Sequence, residues 1–195
     1  AIPLSCSSRA KSPDAAPAGA LRVHPVGGGP RCFVARLRGT TQNTKGRVFM
    51  IKLIGISGSL RRGSFNTSLL RAATGLMPAG VELTTATIRG IPLYDGDVEA
   101  EGVPAPVAAL KDAIAAADGL LLATPEYNNS VPGVLKNTID WLSRPASDIA
   151  RVFGGKPVAL MGASPGAFGT VISQNAWLPV FRTLGAQLWS GGRLV

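Results

Sequence analysis

The stretch "GISGSLRRGSFNTSLLRAA", Gly55 to Ala73, follows directly on the apolar run "FMIKLI" and decides the fold. A short apolar run closed by glycine reads as a buried strand. Phe65, Leu69, Leu70, Ala73 and Leu76 then recur at helical spacing. Between the two lies a loop of glycines, hydroxyls and arginines. Strand, Gly/Ser loop and helix together present backbone amides and the positive end of a helix to an anion. The loop therefore predicts a phosphate site, and two common versions of it can be tested. The nucleoside-triphosphate loop needs a lysine after its second glycine; Gly58 to Gly63 has the spacing, but Ser64 stands in the lysine's place. The dinucleotide pattern G-x-G-x-x-G is absent, and no acid ends the second apolar segment to bind a ribose. Ser57, Ser59, Arg61, Ser64, Asn66 and Thr67 remain around a helix start, with Ser64 or Asn66 as N-cap. Each hydrogen bond to a charged group contributes about 1.5–3 kcal/mol, so four or five anchor a single terminal phosphate without a metal.

Outward from this stretch the chain alternates. "MIKLIGI" (50–56), "VELTTATI" (81–88), "GLLLAT" (119–124), "KPVALMGA" (156–163) and "AQLWSGGRLV" (186–195) read as strands or strand exits. "FNTSLLRAATGLM" (65–77), "VAALKDAIAAAD" (107–118, opened by Pro106), "GVLKNTIDWLSR" (133–144, closed by Pro145) and "VISQNAWLPVFRTLG" (171–185, despite Pro179) read as helices. "RGIPLYDGDVEAEGVPAP" (89–106) reads as a long loop. Apolar strands alternating with amphipathic helices predict a parallel sheet covered on both faces. Ligands of such sheets sit beyond the carboxyl ends of the strands. Three polar or Gly-rich loops, 57–64, 125–132 and 163–170, all follow strands, and they predict one site. No helix follows the fifth strand to cover it, so the domain is expected to lack its last helix or to cover that strand with a partner.

Composition narrows the chemistry. The 195 residues carry a formal charge of +9, yet residues 1–49 hold eight Lys/Arg and one acid, leaving twelve against ten in 50–195. The body is near neutral and predicts no nucleic-acid partner. No apolar run approaches the roughly 20 residues of a membrane helix, so no membrane partner is expected, and a cytoplasmic location is. Cys6, Cys32 and His24 all precede Met50. From Met50 onward the absence of Cys and His excludes disulfides, Cys/His zinc sites, Ser–His or Cys–His nucleophiles and histidine acid–base work. No metal site is expected, and catalysis must rest on carboxylates, hydroxyls, amides or a bound cofactor. Residues 1–49, rich in Pro, Gly, Ser and Arg, are expected to be largely disordered and foreign to the domain. A translated upstream or vector-derived segment, a transit peptide and a functional basic arm are the readings open for them.

"GSLRRGSFN" (58–66) with "TPEYNNSVPGVLKNTIDWLSR" (124–144) and the intervening "IPLYDGDV" (91–98) resembles the NADPH-dependent FMN reductase family, in its chromate and quinone reductase branch. The resemblance runs from about Met50 to Val195. It implies a flavodoxin-like, doubly wound five-stranded parallel sheet of order 2-1-3-4-5 with helices on both faces, and FMN as cofactor. It implies that Ser57, Ser59, Arg61, Ser64, Phe65 and Asn66 hold the FMN phosphate and ribityl chain. Pro125, Glu126, Tyr127 and Asn128 would line the isoalloxazine, and the loop holding Ser164 and Gly166 would close its other side. A homodimer or homotetramer is implied, with the helix 133–143 and the loop holding Tyr94 and Asp95 near the subunit contacts. The family's terminal helix is missing, and nothing in the family accounts for residues 1–49.

The residues make chemical sense beside a flavin. Pro125 starts a turn cheaply, and Asn128 and Asn129 tolerate the backbone angles of a loop that presents N–H groups. Tyr127 offers an apolar plate with a polar tip, or a plain surface aromatic. Glu126 reads equally as a structural acid bonded to a neighbouring backbone or arginine. Lys136 and Asp140 read as an exposed i,i+4 pair, and Trp141 as core or interface packing. The expected reaction is an FMN-dependent transfer from NADPH or NADH to a quinone, chromate or other metal oxyanion, or free flavin. Its catalytic centre is the flavin, not a side chain. Arg61 and Arg62 are expected to attract NADPH phosphates or an anionic acceptor. The alternative is an FMN-binding electron carrier or redox-sensing module without NAD(P)H turnover.

Overall fold

Five segments are apolar enough to pair on both sides, and they become the strands of one parallel sheet. The protein's computed structural model describes residues 50–189. The expectations for residues 1–49, and for the chain after Trp189, lie outside the described residues. The strands are β1 (Ile51–Ser57), β2 (Val81–Ala86), β3 (Gly119–Ala123), β4 (Pro157–Met161) and β5 (Gln187–Leu188). Their order is β2-β1-β3-β4-β5, all parallel. The order expected from the sequence is the one found. β1 pairs Ile51 with Val81 on one side and Leu53 with Gly119 on the other. The chain therefore passes from β1 to β2 on one side and then back across β1 to β3 on the other, and the winding reverses there.

The helices are α1 (Phe65–Gly75), α2 (Gly96–Glu101), α3 (Ala105–Ala115), α4 (Gly133–Leu142), α5 (Ile149–Val152) and α6 (Val171–Thr183). Alternation along each strand sorts the core into two halves. Ile54, Ile56, Leu120, Leu122 and Val158 face α3, α4 and α6, and bury Leu110, Ile114, Leu135, Ile139, Trp177 and Phe181 against them. Leu53, Leu121, Ala159 and Met161 face the other way, with Leu69, Leu70 and Ala73 of α1. Each large side chain so buried contributes about 1.5–3 kcal/mol. α6 runs through Pro179 without ending, as read from its apolar pattern.

One expectation needs correction. The segment 89–106 is not all loop: Gly96–Glu101 forms α2, opened by the Asp95 carboxylate, which accepts from the Asp97 amide. With no buried residue it shows no apolar stripe, so periodicity could not reveal it. The fifth strand pairs over Gln187 and Leu188 only, among the described residues.

Candidate functional site

Three loops leave the carboxyl ends of β1, β3 and β4, and two glycines let them meet. A Cβ on Gly58 would sit 2.6 Å from Leu135 Cδ2 and 2.9 Å from Pro125 Cδ, so the first loop presses on the second. A Cβ on Gly162 would sit 1.8 Å from Thr170 Oγ1 and 2.5 Å from the Thr124 carbonyl, so β4 exits against both the second loop and the start of α6. Hydrogen bonds then lock the junction. Asn66 donates from Nδ2 to the Ala163 carbonyl and accepts from the Ala163 amide, both at 3.0 Å. Glu126 Oε2 accepts from the Ile172 and Ser173 amides at 2.9 and 3.0 Å, which caps α6 from the second loop. Thr170, the residue before α6, makes no side-chain cap of its own. Buried Thr124 bonds Ser173 and accepts from the Trp177 indole, tying the end of β3 to the same helix.

The phosphate-type loop carries the feature that matters most. Ser64 is the N-cap of α1, with its hydroxyl accepting from the Thr67 amide at 3.2 Å. Among the described residues, the backbone amides of 62–66 donate to no protein acceptor. Five successive donors at a helix N-terminus suit one phosphate group of the size and charge that a flavin mononucleotide carries. The donor set, with no acid in residues 57–66, fits that group.

The other candidate residues fall as follows. Ser57 accepts from Thr67 Oγ1, and Ser59 accepts from the Arg61 amide, so both flank the cradle with O–H groups to spare. Arg61 and Arg62 are exposed beside it, and Phe65 is partly exposed on the first turn of α1. Asn128 and Asn129 both take positive φ, 52° and 56°, inside a tight turn closed by reciprocal Tyr127–Ser130 backbone bonds. That turn leaves Tyr127 half exposed, directly after buried Pro125 and half-buried Glu126. Ser164 donates to the Gly169 carbonyl and accepts from the Gly166 amide, which folds the third loop upon itself. The structure therefore brings all three loops to one edge. The Asn66 and Glu126 side chains are spent on holding those loops together.

The blander readings hold elsewhere. Lys136 and Asp140 pair at 2.7 Å on α4. Trp141 is fully buried, donates to the Pro92 carbonyl and meets Tyr94 edge-on at 5.0 Å. No cluster of metal-ligating side chains occurs among the described residues. Sequence reasoning missed Arg71, Thr85 and Thr87, which line a cleft beside the first loop. Helical spacing from Thr67 to Arg71 was the one available signal.

This arrangement, a reversal of winding under a phosphate-type cradle, defines a flavodoxin-like nucleotide-binding class. A family model described as NADPH-dependent FMN reductase matches residues 51–195, and the chain belongs to that family. It is 55% identical over 124 residues to an NAD(P)H-dependent FMN reductase of Pseudomonas aeruginosa, covering 64% of this chain and 65% of that protein. It is 48% identical over 122 residues to a quinone reductase of Escherichia coli, covering 61% and 63%. The match thus spans a little under two thirds of the length of these two relatives. Among solved structures it is similar to FerB of Paracoccus denitrificans, a flavoenzyme NAD(P)H:(acceptor) oxidoreductase. That likeness has a TM-score of 0.67 and 35% identity, over 72% of this chain and 75% of FerB.

Proposed function

We propose that this protein is an FMN-dependent NAD(P)H oxidoreductase that reduces quinones. The observation that carries the reading is the run of unpaired amides at 62–66 behind the Ser64-capped end of α1. In this reading those amides, with the hydroxyls of Ser57, Ser59 and Ser64 and the Arg61 guanidinium, bind the FMN phosphate, and Phe65 flanks the ribityl chain. Pro125, Tyr127 and Asn128 line the ring, and Ser164 and Gly166 bound its far side. Asn66 and Glu126 act as positioning residues, because their bonds to Ala163 and to the start of α6 fix the loop spacing. FMN held there supplies hydride acceptance from NADPH or NADH and onward electron transfer to the acceptor. The chain's own contribution is to orient and to exclude water. Gly58 and Gly162 set how closely the loops approach, and the Asn128–Asn129 turn would offer its amides to the polar edge of the flavin. Chromate, other metal oxyanions and free flavin are further acceptors of the same chemistry. A homodimer or homotetramer and a cytoplasmic location belong to the same reading. Among the described residues no helix is long and apolar enough to cross a membrane.

The test is an absorbance spectrum of the purified chain saturated with FMN and freed of excess. Flavin bands that bleach anaerobically with NADPH or NADH and return on adding a quinone support the reading. A folded chain that retains no flavin defeats it.

A further inference from the structure

On the opposite flank of the first loop, between α1 and the carboxyl end of β2, lies a cleft of about 290 Å³. Ser57, Ser59, Thr67, Arg71, Thr85 and Thr87 supply its polar wall. No acid contributes. Glu82 is the single carboxylate between Ser57 and Tyr94, and it lies near the far end of β2, paired in register with Lys52.

Three hydroxyls of the wall accept protein hydrogen bonds, while Thr67 Oγ1 donates its own proton. Ser57 accepts from Thr67 Oγ1, Ser59 from the Arg61 amide at 3.3 Å, and Thr87 from the Arg89 amide at 3.1 Å. A hydroxyl whose oxygen already accepts from the protein keeps its proton to donate. Three O–H donors and one guanidinium therefore line the cleft. The Arg71 side chain makes no ion pair or hydrogen bond to any described residue. Arg89 Nη2 holds the Leu60 carbonyl at 2.9 Å, which keeps the first loop fixed above. Donors in excess of acceptors, beside an unpaired guanidinium and with no carboxylate in the wall, select an anion.

The cleft shares Ser57 and Ser59 with the rim of the proposed flavin cradle, and Arg71, Thr85 and Thr87 are the polar residues on its far side. Arg71 lies six residues beyond Phe65, about 9 Å along the helix axis, on the flank of α1 that faces the β2 edge. We propose that this cleft is a second phosphate-monoester site, formed by Arg71 with the Thr85 and Thr87 side of the wall. Two sources share that chemistry: the 2′-phosphate that distinguishes NADPH from NADH, and a free phosphate. For the NADPH source the inference rests on the oxidoreductase reading above. β2 stands two strands from β3, roughly 10 Å across the sheet, within the span of an extended dinucleotide.

The experiment uses the full chain saturated with FMN, so that the cradle is filled. Steady-state rates with NADPH and with NADH are compared for native protein, Arg71→Ala, Arg71→Lys and Thr87→Val. Inorganic phosphate is titrated into the same proteins by calorimetry. In Arg71→Ala the kcat/KM ratio of NADPH to NADH is expected to fall about tenfold or more, as befits a lost charge-assisted contact. Thr87→Val should lower it less, and Arg71→Lys should restore part of it. Phosphate binding that vanishes with Arg71 while the ratio stays put also supports the site and assigns it to free phosphate. The proposal is overturned if neither the ratio nor phosphate binding depends on Arg71. It is equally overturned if flavin affinity falls in step with the ratio, because the cleft would then be part of the cradle. Native protein that takes up no FMN defeats the oxidoreductase reading instead, and phosphate titration of that same protein still decides the cleft.

Discussion

The cations on the α3–α5 side of the molecule and those on the β1–β2 edge live under different rules. On the first side nearly every charge has a partner. Lys111, almost fully buried, donates to Asp148 and to the Arg144 carbonyl. Arg151 bridges Asp112 and Asp148, and Arg144 bonds Glu99, which also accepts from the Tyr94 hydroxyl. Hydrogen bonding from Arg144 holds the Glu99 carboxyl below its usual range, and Lys111 does the same for Asp148. On the second side Arg61, Arg62, Arg71 and Arg89 share no acid at all. Exposed ion pairs add little to stability, so apart from the buried Lys111–Asp148 pair the paired side gains mostly alignment of the helices from α2 to α5. The unpaired side gains no ion pair for the fold: the Arg89 guanidinium bonds only the Leu60 carbonyl, and Arg61, Arg62 and Arg71 have no acid to neutralise them. In the proposed reading, the difference separates residues that hold the protein together from residues available to an anion.

That separation can be broken most severely at Gly162. Gly162→Val inserts atoms into space taken by Thr170 and the Thr124 carbonyl, and should cost about 3 kcal/mol or more. Chemical denaturation reads the loss, and flavin retention should disappear with it because the second and third loops lose their spacing. An unchanged denaturation midpoint would show that the loops do not meet as described. Asp148→Ala comes next, on the paired side. It leaves the buried Lys111 ammonium with the Arg144 carbonyl and no counter-charge, and should destabilise by on the order of 2–3 kcal/mol, while the flavin Kd stays within about twofold. The same pair predicts the pH response. Asp148 and Glu99 have depressed folded-state pKa values, so their stabilisation is present above the unfolded carboxylate range near pH 4 and is lost as pH falls through the folded values. In Asp148→Ala the acid limb of the stability profile should flatten; an unaltered limb would remove Asp148 from that role. Smaller again is Glu126→Gln. The amide can still accept from Ile172 and Ser173, but the charge at the α6 N-terminus is gone, at a cost of about 0.5–1 kcal/mol. Glu126→Ala should cost more than Glu126→Gln, and equal losses would mean the cap bonds contribute nothing.

How much of this was legible in the chain follows from the range of each interaction. β1 and α1 were readable because the apolar run and the 3.6-residue spacing are local, and the loop between them because its glycines and hydroxyls are contiguous. The convergence of 57–64, 125–132 and 163–170 followed from topology alone, since parallel strands place all their exits at one edge. Asn66 and Glu126 were found as residues, but not their tasks. Their partners stand 97 and 46–47 positions away, and no spacing rule reaches that far. α2 was missed because a six-residue helix with nothing buried leaves no hydrophobic period, only the Asp95 cap. Arg71 was missed for a related reason. On the sequence it is one more polar residue on a helix, and it becomes informative only when β2 brings Thr85 and Thr87 beside it.

The smallest effect is the one that tests the unpaired edge most directly. Arg61 and Arg62 stand exposed at the mouth of the cradle with no acid to hold them, so replacing both with alanine should leave the denaturation midpoint within experimental scatter. Their field, however, extends about 10 Å at 0.1 M salt and reaches an approaching polyanion. With FMN kept saturating, because Arg61 also contacts its phosphate in the proposed reading, the KM for NADPH should therefore rise by roughly threefold at low ionic strength. The gap should close near 1 M salt, where the screening length falls to about 3 Å. NADH, with one phosphate fewer, should show the smaller change. The salt dependence separates steering from contact. A KM increase that survives 1 M salt would place one of the two guanidiniums in direct contact with the nucleotide. No increase at any salt would leave the edge's charge with no share in donor capture, and the contrast between its two kinds of cation would then rest on Arg71 alone.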